Sequence, residues 1–317
     1  GPISFQTPVL LAPMAGYTDL PFRTEVRRLG GLGLAYSEML NPRSLLSGKA
    51  KKARFLIATS PEDNPLAYQL YGHEPAVMAD GAKWLADRGA PMIDINMGCP
   101  QRKIARRGAG AALVASPDVA LDITRSVANA VRIPVTVKIR LAPAGAPVST
   151  TELVRALEDA GAAAIAVHAR TRAQRFEGRS NWSEIAEAAA SVVRIPVIGN
   201  GDITGPQDAV TMMKETGCAA VMVGRTALKD PWIIRNCASA LGWADPVSAP
   251  TRRERVAFMV RQLDGMVSLY GEKGAALLFR KWIPPYSRTL QIPRPRMVEL
   301  LRIVALDELR TELARLV

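Results

Sequence analysis

Eight short apolar runs, each followed by an Ala-rich amphipathic stretch, punctuate the chain as far as Val223, and this alternation constrains the fold more than any other feature. The runs are Val9 to Met14, Leu32 to Met39, Leu66 to Tyr71, Met92 to Met97, Val135 to Ile139, Ala163 to His168, Val197 to Gly199 and Ala219 to Val223. Each has the length of a strand. Strands that are apolar on both faces and alternate with helices belong to a parallel sheet covered on both sides. A closed barrel and an open doubly wound sheet both meet that description, and the position of the polar residues separates them. Every run ends in chemically useful residues: Pro13-Met14-Ala15-Gly16, Ser37-Glu38-Met39, Gln69, Asn96 with Cys99, Lys138 with Arg140, His168 with Arg170, Asn200-Gly201-Asp202, and Gly224-Arg225. A closed (β/α)8 TIM barrel gathers them on one rim, where such barrels place their active sites, whereas an open sheet spreads them along an edge. The barrel is the expected fold.

Helix signals agree. Ser116-Pro117-Asp118 opens a helix over Val119 to Val131, and Thr151-Glu152 opens one over Leu153 to Ala160 before Gly161 stops it. After Trp232 the strand signals cease. Thr251 and Glu254 form a capping box, and Val256, Met259, Val260, Leu263, Met266, Val267 and Tyr270 then recur at helical spacing, with Arg252, Arg253, Arg255 and Arg261 opposite. A second helix is expected over Lys273 to Trp282, broken by Pro284-Pro285, and one or two more over Met297 to Leu316. The expected division is a barrel over residues 1–241 and a small helical unit over 242–317.

With 317 residues the chain can bury a full core. Its net charge of +12 suits a polyanionic partner. No apolar window is long enough to span a bilayer, and the first residues lack the basic-then-apolar pattern of a secretory signal. Cys99, Cys218 and Cys237 are too few and scattered for a disulfide framework, and they do not have a zinc spacing. Free thiols, no metal, a cytoplasmic location and a monomer are the expectations.

The chemistry concentrates around Asp94-Ile95-Asn96-Met97-Gly98-Cys99-Pro100, where a strand delivers a carboxamide and a thiol to the rim. Arg102, Lys103, Arg106 and Arg107 follow without an acidic residue among them, forming a candidate cationic lid. A protonated thiol can donate to a carbanion-like centre; a nucleophilic role would instead need a base within reach. Gly199-Asn200-Gly201-Asp202 and Gly224-Arg225-Thr226 follow the seventh and eighth runs, where barrels bind phosphate. Lys138 ends an apolar strand and must find a polar partner in the mouth; a neighbouring strand's carboxylate is one candidate. Gln69 offers donors and acceptors to a ring edge, and with Lys138, His168 and the phosphate cradle it suits a flavin mononucleotide. No Gly-x-Gly-x-x-Gly fingerprint follows the first run, so a nicotinamide would visit only transiently.

Ala12-Pro-Met-Ala-Gly-Tyr-Thr-Asp-Leu-Pro-Phe-Arg23, the Asp94–Pro100 stretch, Arg107-Gly-Ala-Gly-Ala111, Val137-Lys-Ile-Arg140, Val167-His-Ala-Arg-Thr171 and Gly199-Asn-Gly-Asp-Ile203 together resemble the tRNA-dihydrouridine synthases, in their bacterial branches. The resemblance implies FMN-dependent, NADPH-fuelled reduction of the C5–C6 bond of a uridine in tRNA, with hydride passing from flavin N5 to C6 and a proton from Cys99 to C5. It implies that Pro13, Met14, Ala15, Gln69, Lys138, His168, Asn200, Gly201, Asp202, Gly224 and Arg225 hold FMN. Asn96 and Arg140 would hold the uracil, with Arg170 on the substrate side. Arg102, Lys103, Arg106 and Arg107, together with Arg280, Lys281, Arg288, Arg294 and Arg296 of the tail, would meet tRNA phosphates, and the target base would be flipped out of its stack. Three departures stand out. Ala169 replaces the family's glycine, Phe176 stands where some members have tyrosine, and Arg280-Lys281-Trp282 with Tyr286 only partly meets the tail pattern. A flavin barrel acting on a free small molecule, of the dihydroorotate dehydrogenase kind, is the alternative enzyme, and a non-catalytic RNA-binding barrel is the alternative from another class.

Overall fold

The computed structural model describes residues 5–48, 53–246 and 248–317. Its strands are β1 (Val9–Leu11), β2 (Leu34–Tyr36), β3 (Leu66–Leu70), β4 (Met92–Met97), β5 (Val135–Leu141), β6 (Ala164–Thr171), β7 (Val197–Asn200) and β8 (Ala220–Val223). All neighbours pair in parallel, and β8 returns to β1 through Leu10↔Met222, which closes the barrel.

Period-two alternation divides the strand residues into two cores. Outward-facing Val9, Leu11, Ile93, Ile95, Val137, Ile139, Val167 and Val221 pack beneath the surrounding helices. The inward set, Leu10, Leu34, Tyr36, Met92, Ile198 and Met222, alternates with Ala67, Ala164, Ala166 and Ala220 and fills the barrel, with Phe5 packed against it. Large side chains therefore interdigitate with small ones, and the lumen is a packed floor rather than a pore. Above that floor the inward positions turn polar.

β5 and β6 run beyond the apolar residues, to Leu141 and Thr171, because backbone pairing continues through Arg140 and His168 while their side chains meet the mouth. A register shift lies between Arg140 and Leu141. The Thr150–Asp159 helix is capped by Ser149, which exchanges hydrogen bonds with Glu152, and Thr151 lies within the helix. Thr251 and Glu254 do form a capping box, opening the Arg252–Tyr270 helix. Pro284 and Pro285 open the Ile283–Thr289 helix; their missing N–H groups cost nothing in a first turn. The final segment forms two helices, Arg294–Arg302 and Leu306–Ala314.

The tail helices sit against the Leu20–Leu29 helix and the loop after β1. Arg261 pairs with Glu25 at 2.8 Å, Tyr270 Oη donates to Asp19 at 3.1 Å, and Gly265 lets Pro21 approach. Trp282 is fully buried and meets the Phe22, Tyr17 and Tyr286 rings at centroid distances of 4.5, 5.1 and 5.5 Å. No helix among the described residues is long and apolar enough to cross a membrane. None of their His, Cys, Asp and Glu side chains form a group that could hold a metal ion.

Candidate active site

Register places the mouth residues side by side. Gln69 pairs with Asp94, Asn96 with Lys138, Arg140 with His168, and His168 with Asn200. Lys138 and Asn200 are two strands apart and both point inward; Ala166 on β6 lies beside Lys138 and leaves room. Lys138 Nζ donates to Asn200 Oδ1 at 3.0 Å, and Asn200 Nδ2 donates to the Met222 carbonyl at 2.7 Å. Its hydrogen-bond partner is thus an amide oxygen and not the carboxylate of a neighbouring strand. Burial, with Arg140 nearby and only partly offset by Asp94, lowers the Lys138 ammonium to about 8. Two of its three N–H groups have no partner among the described residues.

His168 is buried, and neither of its ring nitrogens has a hydrogen-bond partner among the described residues. Burial first, then the charges of Lys138, Arg140, Arg170 and Arg225, push its imidazole from 6.5 down to about 2. It is neutral at working pH, a hydrogen-bonding group and not an acid. In the unfolded chain the same imidazole takes up a proton near 6.5, so this group's contribution to stability is lost as pH falls from 6.5 towards 2. His168→Asn should flatten the decline of unfolding free energy between about pH 6 and 4 in urea titrations; an unchanged slope would count against it.

Cys99 lies just beyond β4, half-buried, in a loop held from two sides. Asn96 Oδ1 accepts from Gly98 N at 3.1 Å and Cys99 N at 2.9 Å, while Arg140 Nε donates to the Gly98 carbonyl at 2.9 Å. Gly110, at φ +63°, is required here: a Cβ on it would lie 2.8 Å from the Cys99 carbonyl oxygen. The Arg107–Ala111 run is thereby fitted to the thiol loop. Burial raises the Cys99 thiol, against smaller opposing effects of the Gln101 backbone and Arg140. It is therefore protonated at neutral pH, and no side-chain base hydrogen-bonds to it among the described residues. The thiol can give a proton but is not activated as a nucleophile.

Beyond Gly98, Arg140 donates through Nη1 to the Thr171 and Arg175 carbonyls at 3.0 and 2.7 Å, joining the thiol loop to the loop after β6; burial, with Arg170 next, lowers it to about 10. Its Nη2 has no partner among the described residues and is the part left to meet a ligand. Arg170 differs. Its guanidinium is spent on Glu177 O, Gly178 O, Ser180 Oγ and both oxygens of Asp202, at 2.6 to 3.1 Å. The expected substrate-side Arg170 instead fixes the 171–180 loop, and the Asp202 carboxylate faces it. Burial alone would raise Asp202, but Arg170 and Ser180 hold it low. That loop presents Phe176, half-exposed, with the Arg225 and Arg140 guanidiniums 4.4 and 5.4 Å from its ring centroid and the His168 ring at 6.3 Å.

The two last loops lie together at the rim. Gly201, at φ +125°, is packed: a Cβ there would meet Ser180 Oγ at 2.3 Å. A Cβ on Gly224 would meet nothing closer than the Ala12 Cβ at 3.8 Å, an ordinary van der Waals distance. Pro13, Met14 and Ala15 form the adjoining loop after β1, which is steadied by Met14 N donating to Thr18 Oγ1 at 3.1 Å and by Gly16 N donating to Glu38.

The cationic residues fall into two groups. Arg102, Lys103, Arg106 and Arg107 are exposed beside Cys99, and Arg288 and Arg294 are exposed on the tail; none has a side-chain partner among the described residues. The other three are engaged. Arg296 pairs with Glu299 at 3.0 Å and with Glu312, Arg280 reaches back to the Ile303 carbonyl at 3.3 Å, and Lys281 lies 5.5 Å from the Tyr17 ring centroid. Sequence reasoning gave no role to Asp94 or Thr136. Both lie two residues before a mouth residue on the same strand face, and that spacing was the available signal.

These features define an enzyme on a (β/α)8 scaffold, with its polar groups at the C-terminal strand ends and a proton-bearing thiol among them. The family model for dihydrouridine synthases matches residues 10–298. A protein named probable tRNA-dihydrouridine synthase in Rhodobacter capsulatus is 41% identical over 287 residues, covering 90% of this chain and 88% of its own. Proteins named tRNA-dihydrouridine synthase B are 37% identical in Xanthomonas axonopodis (91% of this chain, 86% of theirs) and 36% identical in Pseudomonas aeruginosa (92% and 86%). The chain belongs to the dihydrouridine synthase family. A solved structure, the 6-hydroxypseudooxynicotine amine oxidase of Pseudomonas geniculata N1, superimposes with a TM-score of 0.55 at 13% identity; the match covers 76% of this chain and 48% of that one and is a likeness of fold alone.

Proposed function

We propose that this protein reduces a uridine in tRNA to 5,6-dihydrouridine, with bound FMN as cofactor and NADPH as its reductant. The observation that carries the reading is the protonated Cys99 thiol, clamped by Asn96 and Arg140 at the edge of a mouth rich in unspent donors. The donor set fits FMN. Lys138 has two N–H groups to give, His168 offers a neutral ring, and Gly224 leaves its backbone approachable by a phosphate. Gln69, Asn200, Arg225 and the Pro13–Ala15 loop complete the proposed binding set, with Gly201 and Asp202 shaping it through Ser180 and Arg170. The chemistry that FMN would supply when held by these residues is the hydride for C6 of the uracil.

The protein's own groups do the rest. Arg140 Nη2 and the second N–H of Asn96 Nδ2, which otherwise makes only a weak 3.9 Å contact with Met39 Sδ, hold the uracil oxygens, Cys99 passes its proton to C5, and solvent restores the thiol. The thiolate left behind is compensated by Arg140. Lid cations 102, 103, 106 and 107 and tail residues Arg288 and Arg294 are the exposed charges for tRNA phosphates. Arg296, already held by two glutamates, is a weaker candidate than Arg294.

The protein loaded with FMN, supplied with NADPH and unmodified tRNA, is expected to form dihydrouridine, and tRNA binding should weaken steeply as salt rises. tRNA that stays unmodified by flavin-loaded protein would overturn the reading.

A further inference from the structure

Asp94 is fully buried in β4, directly under the mouth, and nothing in the proposed reaction uses it. Its Oδ1 accepts from Thr136 Oγ1 at 2.6 Å and its Oδ2 from Gln69 Nε2 at 2.7 Å. Gln69 Oε1 in turn accepts from Asn96 Nδ2 at 2.7 Å, and Asn96 Oδ1 accepts from the Gly98 and Cys99 amides. The chain has a direction. Burial raises the Asp94 carboxyl to about 7, and a proton held on Oδ1 towards Thr136 still leaves Oδ2 facing Gln69 as an acceptor; backbone amides can serve Asn96 only as donors, so each carboxamide between them has one orientation.

We propose that Asp94 is a positioning residue for proton delivery, fixing the orientation of Gln69 and Asn96 and, through them, the place of the Cys99 thiol. Without the acceptor at 94, Gln69 can turn over and set its NH2 against the NH2 of Asn96. Asn96 then loses its anchor, and the grip on the thiol loop slackens. The second N–H of Gln69 Nε2, the one left for a ligand in the mouth, is aimed by the same contact.

The inference rests on the reading of Cys99 as the proton donor, and its test includes readouts that need no turnover. Asp94→Ala removes the acceptor, Asp94→Asn keeps one, and Thr136→Val removes the other hydrogen bond of the same carboxylate while sparing the chain. In the Ala variant, hydrogen exchange at the Gly98 and Cys99 amides should accelerate about tenfold, and the rate of Cys99 alkylation, read by peptide mass spectrometry, should shift severalfold. Its kcat for uridine reduction should drop about tenfold, with KM for tRNA and reduction of the bound flavin by NADPH nearly unchanged. Asp94→Asn and Thr136→Val should stay near wild type in every readout. If Asp94→Ala does not fold, Asp94→Ser takes its place, since its hydroxyl can serve Thr136 while falling short of Gln69. Native exchange and alkylation in the Ala or Ser variant would overturn the proposal, as would an Asn variant as impaired as Ala, which would assign the effect to charge. A wild-type protein that binds flavin but leaves tRNA unreduced would sink the functional reading, while exchange and alkylation would still decide the role of Asp94.

Discussion

Cys99→Ala is expected to leave the fold, FMN uptake and reduction of the bound flavin by NADPH intact while lowering dihydrouridine formation by about 10²- to 10⁴-fold, the range in which a positioned general acid contributes. The expectation follows from the thiol's surroundings. Its loop is held by hydrogen bonds to backbone groups, from Asn96 and from Arg140, and none of these contacts uses the sulfur. The substitution therefore removes the proton and the sulfur's contact with the Gln101 backbone, and leaves the loop's own hydrogen bonds in place. Burial also keeps the thiol protonated, so the wild-type donor is loaded at neutral pH. Stopped-flow reduction followed by single turnover with tRNA separates the two stages. Turnover within a few-fold of wild type would assign the proton to another group, and His168, neutral down to about 2, could not be that group as an imidazolium.

The largest expected stability effect lies away from the mouth. Arg23 and Asp63 are both buried and share a bidentate contact, Nε to Oδ2 at 3.0 Å and Nη2 to Oδ2 at 2.6 Å with Nε to Oδ1 at 3.2 Å. Arg23 also donates to the Thr18 and Ala58 carbonyls, so one guanidinium ties the Leu20–Leu29 helix to two loops. Asp63→Ala leaves that cation buried without its counter-charge and should cost about 3–5 kcal/mol of unfolding free energy. The exposed Arg43–Glu74 pair is the control, and Arg43→Ala should change stability little. Urea titrations of both variants decide it: an Asp63→Ala midpoint matching wild type would show that the pair is not a structural anchor.

How far the sequence spoke for the structure depended on how local each constraint is. β4 spans Met92–Met97 as its apolar run does, because Pro91 and Gly98 bound it. The capping box at Thr251 is legible because its partners are three residues apart; the same spacing picks out Ser149 with Glu152, while Thr151, expected to open the helix, has Val154 three residues on and lies within it. Pro284-Pro285 read as a break because an interior proline is destructive; only packing of Ile283 and Tyr286 shows that a new helix starts there. In the candidate site, alternation placed Gln69, Asn96, Lys138, His168 and Asn200 at the mouth. It could not say which of their hydrogen-bonding groups the protein consumes. Arg170 is the clearest case: its partners at 177, 178 and 180 are reached through a loop without regular structure, and Asp202 lies 32 residues away on the next strand's loop.

The packed floor of the barrel bears on traffic. Leu10, Leu34, Tyr36, Met92, Ile198 and Met222, with Phe5 against them, close the N-terminal side of the strands, so the groups around Lys138 and Asn96 are approached from the rim. In the proposed reaction a nicotinamide and an extruded base would each have to come to those groups from the rim side. Two visitors using the same approach would alternate, so the first product would leave before the second substrate enters, and steady-state rates at varied concentrations of both should trace parallel lines in a double-reciprocal plot.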